Sequence, residues 1–156
     1  MPGELEDAMR TEDAAVTKGI NRYVPIAIEA RPADVDLVDP DPHAARSEVR
    51  ELLSRTPLGA RERDDLVGAV SEVVTNAHSH GSGSVHLQGW ADREEVVVTV
   101  SDEGTGPQGS DLGGRPVVRA PGEGGLGLWL ARQLCDDLAL GRMPDGFIVR
   151  LRTRYR

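Results

Sequence analysis

The stretch from Leu66 to Asp102, LVGAVSEVVTNAHSHGSGSVHLQGWADREEVVVTVSD, changes its hydrophobic period once, and that change decides the fold. Up to Ala77 the apolar residues Leu66, Val67, Val70, Val73, Val74 and Ala77 recur at offsets of three and four, the stripe of an amphipathic helix that stops at Gly81. From Val85 the period drops to two. Val85 and Leu87 alternate with polar neighbours, Ala91-Asp92-Arg93 reads as a turn, and Val96, Val98 and Val100 alternate toward Asp102. Two strands in succession after a helix predict an antiparallel hairpin beside segregated helices, not a βαβ alternation.

Upstream, Asp41-Pro42 is a helix start: a carboxylate accepts orphan amides, and proline lacks only an N–H that has no partner there anyway. Ala45, Val49, Leu52 and Leu53 supply its stripe and Thr56-Pro57-Leu58-Gly59 ends it. Alternation at Ile26 and Ile28, a break at Arg31-Pro32-Ala33-Asp34, and alternation again at Val35 and Leu37 predict one or two short edge strands. Downstream, Gly104 to Glu123 is rich in Gly and Pro without apolar period, longer than the ~12 to 15 residues at which a structureless loop usually has a task, and is a candidate lid. Leu126, Leu130, Leu134 and Leu138 recur every four residues and predict a helix over that span. Phe147, Val149 and Leu151 form a last strand after a turn at Met143-Pro144-Asp145-Gly146. The expected class is α+β, a two-layer α/β sandwich whose mixed, mostly antiparallel sheet carries helices on one face. Residues 1–34 are expected to be a partly disordered N-terminal extension and residues 35–156 the domain.

Composition narrows the chemistry. The chain has 156 residues and a net charge of -8, the wrong sign for a general nucleic-acid binder. Aromatic residues are 3%, too few for a base-stacking platform. The single lysine, Lys18, has no Gly-x-x-x-x-Gly before it, which excludes a Walker-type phosphate loop. One cysteine, Cys135, allows neither an internal disulfide nor a thiolate zinc cluster. The acidic start and the lack of a long apolar run give no signal peptide and no membrane span, so a cytoplasmic protein is expected.

The polar residues beside the core are more specific. Glu72 and Asn76 lie about 40° apart on the long helix. A carboxamide oxygen there can ligate Mg²⁺ while the carboxylate takes a proton from an attacking hydroxyl, though a solvated helix face has the same spacing. Asp102 ends its strand on the face of Val96, Val98 and Val100, pointing toward the helices. An acid at that depth needs a donor, either the amine of an adenine or the backbone of a glycine turn. Asp102-Glu103-Gly104-Thr105-Gly106 leaves the strand through two glycines that let backbone approach a ligand. Gly122-Glu123-Gly124-Gly125-Leu126-Gly127 opens into a helix, where free amides and the helix dipole suit a polyphosphate. The same string matches the dinucleotide pattern G-x-G-x-x-G, but no convincing strand precedes it and Asp145 sits in a turn. His78 and His80 diverge on a helix and are not read as a metal pair; His80 is read as lining or capping the site. The basic end, Arg150 to Arg156, is read as dressing an edge strand, or else as attracting an acidic partner.

In order, Glu72-Val73-Val74-Thr75-Asn76-Ala77 with His80, Asp102-Glu103-Gly104-Thr105-Gly106 and Glu123-Gly124-Gly125-Leu126-Gly127-Leu128 resemble the N, G1 and G2 boxes of the GHKL (histidine kinase-like) ATPases. The layout and Gly125 to Asp136 look most like the bacterial anti-sigma factor kinases, and the similarity covers roughly Val35 to Leu151. The resemblance implies a Bergerat-type sandwich binding ATP with Mg²⁺, holding a sigma factor and phosphorylating a serine or threonine on an anti-sigma antagonist protein. By position it makes Glu72 the general base, Asn76 the Mg²⁺ ligand and Asp102 the adenine reader. Gly104 and Gly106 would shape that pocket, and Gly124, Gly125, Leu126 and Gly127 would cradle the phosphates. A homodimer is a further implication, with Trp90 or Trp129 as candidates for its interface, although a core role is preferred for either. The alternative is a catalytically inactive, nucleotide-gated module that sequesters a sigma factor or a related regulator.

Overall fold

The computed structural model of the chain describes residues 23–27, 29–106 and 126–156. Its elements are β1 (Val35–Val38), α1 (Pro42–Leu53), α2 (Ala60–His80), β2 (His86–Ala91), β3 (Glu95–Asp102), α3 (Leu126–Gln133), β4 (Asp137–Met143) and β5 (Gly146–Arg154). The strands form one sheet in the order β1-β2-β3-β5-β4, every neighbouring pair antiparallel. A parallel bridge joins Tyr23 to Leu140 on the β4 edge. This is the α+β two-layer sandwich that the periods predict.

Local chemistry sets the helix ends. Asp41 caps α1 by accepting the Ala44 N–H at 2.7 Å, with Pro42 in the first turn, and α2 runs to Gly81, whose N–H donates to the Ala77 carbonyl. Ala45, Val49, Leu52 and Leu53 of α1 and the whole stripe from Leu66 to Ala77 of α2 are buried. They meet one face of the sheet, where Leu87, Val96, Val98, Val100, Val149, Leu151 and Leu140 are almost fully enclosed. Cross-strand pairing keeps these residues together: Val98 opposes Leu151 and Val100 opposes Val149. α1 comes so close to β2 that a Cβ on Gly89 would lie 3.2 Å from the Leu52 side chain.

The other face is covered in part by the chain that precedes β1. Val24 donates its N–H to the Leu140 carbonyl, and the Ile26 side chain lies against Gly141 and Ile148. Further along, the Arg31 carbonyl accepts the Trp90 indole N–H at 3.0 Å and Asp34 N–H bonds to the Gly89 carbonyl. The segment therefore holds β4 at one end and β2 at the other.

Two sequence expectations change and a third is narrowed. The helix from Leu126 ends at Gln133, and Leu138 belongs to β4, a strand that the fourfold leucine spacing concealed. Of the one or two edge strands expected, one forms, β1; residues 24–27 form no strand beyond the Tyr23 bridge and the Val24 hydrogen bond to Leu140, and Ile28 lies outside the described residues. Arg150, Arg152 and Arg154 sit on β5, which lies between β3 and β4, so they dress no edge. Instead Arg150 pairs with Asp137, and Arg152 with Glu95 at 3.0 Å. The candidate lid lies outside the described residues beyond Gly106.

Candidate functional site

Asp102 ends β3 on the helix-facing side and is 7% exposed. Its Oδ1 accepts the Gly104 N–H at 2.7 Å and the Ser82 N–H at 3.4 Å. The first bond is the short turn from an Asp to the residue two along; the second ties β3 to the loop after α2. That loop is latched twice more, Glu103 N–H donating to the Ser82 carbonyl at 2.8 Å and Ser84 N–H to Glu103 Oε2 at 3.2 Å. From the other side Asp39, held at a φ of 52°, accepts from Val85 N–H at 2.8 Å and from the Ser84 hydroxyl at 3.1 Å. His78 Nε2 donates to the Pro40 carbonyl at 2.6 Å, fixing the end of α2 to the same turn.

Glycines close around the carboxylate. A Cβ on Gly104 would lie 2.8 Å from Asp102 Oδ1, and one on Gly81 would lie 2.6 Å from the Asp102 carboxyl carbon. Gly106 has a φ of 75°, and a Cβ there would come within 2.5 Å of both Phe147 and the Tyr23 hydroxyl. The collar leaves Asp102 Oδ2 with no donor among the described residues, so the carboxylate keeps acceptor capacity.

Glu72 and Asn76 stand half-buried on α2, at the margin of its apolar stripe. At the helical rise Asn76 precedes Gly81 by about 8 Å along the axis and Glu72 by about 14 Å. Asp102 thus lies beside the C-terminal end of the helix that carries the acid and the amide. Leu126 and Gly127 begin α3, which packs on α2 closely enough that a Cβ on Gly68 would touch Leu134. Gly124 and Gly125 lie outside the described residues. His80 is exposed at the last position of α2. No three of His, Cys, Asp and Glu gather into a metal cluster among the described residues, and no helix there is long and apolar enough to cross a membrane.

Comparison with known families decides what this arrangement belongs to. A model of the histidine kinase-like ATPase domain matches residues 37–153. The chain belongs to that family. No curated protein matches it. The match spans β1 to β5 and takes in Glu72, Asn76, Asp102 and the glycines of the collar. For a histidine kinase-like ATPase domain the ligand implied is a nucleotide, usually with Mg²⁺. The residues present fit such a group: Asn76 offers a hard carboxamide oxygen, and Asp102 holds a spare acceptor where side chains have been removed from the backbone around it.

Sequence reasoning missed several residues around the candidate site. Ser82, Glu103 and Gly81 hold Asp102 in place, and the Gly81-Ser82-Gly83-Ser84 cluster was a visible turn signal for them. Tyr23 and Arg142, which lie beside Gly106, had none.

Proposed function

We propose that this chain is an ATP-binding anti-sigma regulatory factor that transfers phosphate from ATP to a serine or threonine of an antagonist protein, acting in the cytoplasm. The observation that carries the reading is the collared Asp102, with an acceptor oxygen to spare, packed against Gly81 at the end of the helix that bears Asn76 and Glu72. Asp102 Oδ2 accepts from the exocyclic amine of adenine, a contact available only to a base that carries a donor there. Asn76 would supply one oxygen to Mg²⁺, an ion that keeps several waters and takes few protein ligands. Glu72 accepts the proton of the substrate hydroxyl as its oxygen bonds to the γ-phosphorus; the bond to the bridging oxygen breaks and ADP leaves. When bound, ATP with Mg²⁺ supplies the phosphoryl group and the charge neutralisation. Sequestration of a sigma factor is the partner side of the same proposal, and it rests on the likeness of the boxes to anti-sigma kinases.

The test begins with calorimetric titration of ATP, with and without Mg²⁺, into the wild-type protein and Asp102→Asn. Micromolar binding that needs Mg²⁺ and weakens at least tenfold in the variant supports the site; equal binding by both removes Asp102 from it. Glu72→Ala should then bind ATP within about twofold of wild type yet fail to add a phosphoryl mass to a co-purified antagonist. A wild-type protein that binds ATP and never phosphorylates its partner would leave the nucleotide-gated binding module.

A further inference from the structure

We propose that Tyr23 and Arg142 are positioning residues of the nucleotide site: together they clamp the Thr105 carbonyl and fix the turn that holds Asp102. The inference rests on the nucleotide site assigned above. Arg142, on β4, donates from Nη1 to the Thr105 carbonyl at 3.0 Å, and the Tyr23 hydroxyl reaches the same oxygen at 3.4 Å. The Arg142 guanidinium lies over the Tyr23 ring, 3.8 Å from its centroid. The ring in turn stands edge-on to Phe147, with centroids 5.8 Å apart and planes at 79°. Phe147 is the cross-strand neighbour of Asp102. Tyr23 itself is tied to β4 by its bridge to Leu140 and by the adjacent Val24 N–H to the Leu140 carbonyl at 2.8 Å.

The need for such a clamp follows from the turn. Gly104 and Gly106 give the collar its closeness, but two glycines in three residues also make the backbone permissive. The Asp102 turn sets the path as far as Gly104, and among the described residues no local hydrogen bond of this kind holds Thr105 beyond it. Thr105 lies between those glycines, and its carbonyl is gripped from two elements far away in sequence. The grip fixes the Thr105–Gly106 peptide, two peptide units beyond the one whose Gly104 N–H holds Asp102 Oδ1. Tyr23 lies outside the region matched by the family, so the segment before β1 contributes to a site that the ATPase domain proper contains.

Four forms of the full-length protein test this: wild type, Tyr23→Ala, Tyr23→Phe and Arg142→Ala. ATP affinity is measured by calorimetry, and backbone hydrogen exchange of Gly104, Gly106 and Val98 is measured without nucleotide. Losing a stacked cation and a hydrogen bond should weaken ATP about tenfold in both alanine variants, with a similar fall in Gly104 protection. Tyr23→Phe keeps the ring under Arg142 and loses the 3.4 Å hydrogen bond, so its affinity should fall between those of wild type and Tyr23→Ala. Unchanged protection at Val98, in the middle of β3, separates this effect from unfolding. Alanine variants that match wild type in ATP affinity and Gly104 protection overturn the clamp. A wild type that binds no ATP overturns the proposed function instead, while the Gly104 amide still reports whether Tyr23 and Arg142 hold the turn.

Discussion

Gly81 has no place in the Glu72 to Asn76 spacing, yet an alanine there would set a methyl carbon 2.6 Å from the Asp102 carboxyl carbon and closer still to the Ala77 carbonyl. One of them must move, and overpacking of this kind costs about 1–3 kcal/mol. Gly81→Ala should therefore lower the melting temperature and weaken ATP binding together; wild-type values of both would show that Asp102 is not held from this side. Cys135 makes the opposite case of a conspicuous residue with no chemistry. Its one S–H has the Ala131 and Asp137 carbonyl oxygens as alternative acceptors, each 3.3 Å from Sγ, and burial pushes the thiol up to about 12. At pH 8 roughly one molecule in 10⁴ then carries the thiolate, against about a quarter for an ordinary thiol, so alkylation of the folded protein should be at least a hundredfold slower than in denaturant. Rapid native labelling would contradict the buried geometry. Asp102 itself was legible from the sequence as an inward-facing acid because parity along β3 fixes its face. Its partners were open between a ligand and a turn, and the backbone supplies the turn while Oδ2 stays available.

Elements were legible where one period excludes the other. α2 and the β2–β3 hairpin match the sequence reading because offsets of three and four do not fit a strand, and strict alternation does not fit a helix. The boundary between α3 and β4 was not, because residues four apart share a face in both geometries. Leu134 and Leu138 satisfy a helix and a strand equally. What ends α3 is tertiary: Asp136 N–H pairs with the Arg152 carbonyl, and Leu138 aligns with Leu151 on β5. The β2–β3 turn owes its shape to Asp92, whose Oδ1 accepts the N–H of Glu94 at 2.7 Å and of Glu95 at 2.9 Å. Those two bonds, Glu94 first, hold its carboxyl below the usual range. The folded state thus binds this proton less readily than the unfolded chain. The stabilisation is complete above the ordinary carboxylate value and is lost as pH falls through the lowered folded value. Asp92→Ala should cost about 0.5–1 kcal/mol at pH 7 and progressively less as pH falls below the ordinary carboxylate range, as measured by urea unfolding at pH 7 and in acid. An equal loss at both would mean that the charge plays no part.

At the scale of the molecule, the family match and the folded unit do not coincide. The match begins at residue 37, whereas the chain from Tyr23 to Asp34 already grips β4 at one end and β2 at the other. No local pattern announces this: the segment has neither helical nor strand period throughout, and its contacts depend on the distant Leu140, Gly141, Ile148 and Trp90. The sequence reading accordingly drew the domain from residue 35. A protein shortened to residues 35–156 keeps the whole helix-facing core, so it should still fold. It loses the half-buried Tyr23 and Ile26 contacts and the acceptor of the Trp90 indole, about 2 kcal/mol by the apolar area and hydrogen bond removed. For a domain of this length that corresponds to a fall of about 5–10 °C in melting temperature. Trp90, 6% exposed in the intact chain, should become accessible, and its emission should move to longer wavelength. Trp129 lies on α3, in the helix layer, and its accessibility should stay as it is. Iodide quenching of Trp90→Phe and Trp129→Phe versions of both lengths separates the two signals. If the shortened protein melts with the full one and Trp90 remains protected, the segment before β1 is a passenger; if it melts lower with Trp90 alone exposed, the segment is part of the sheet.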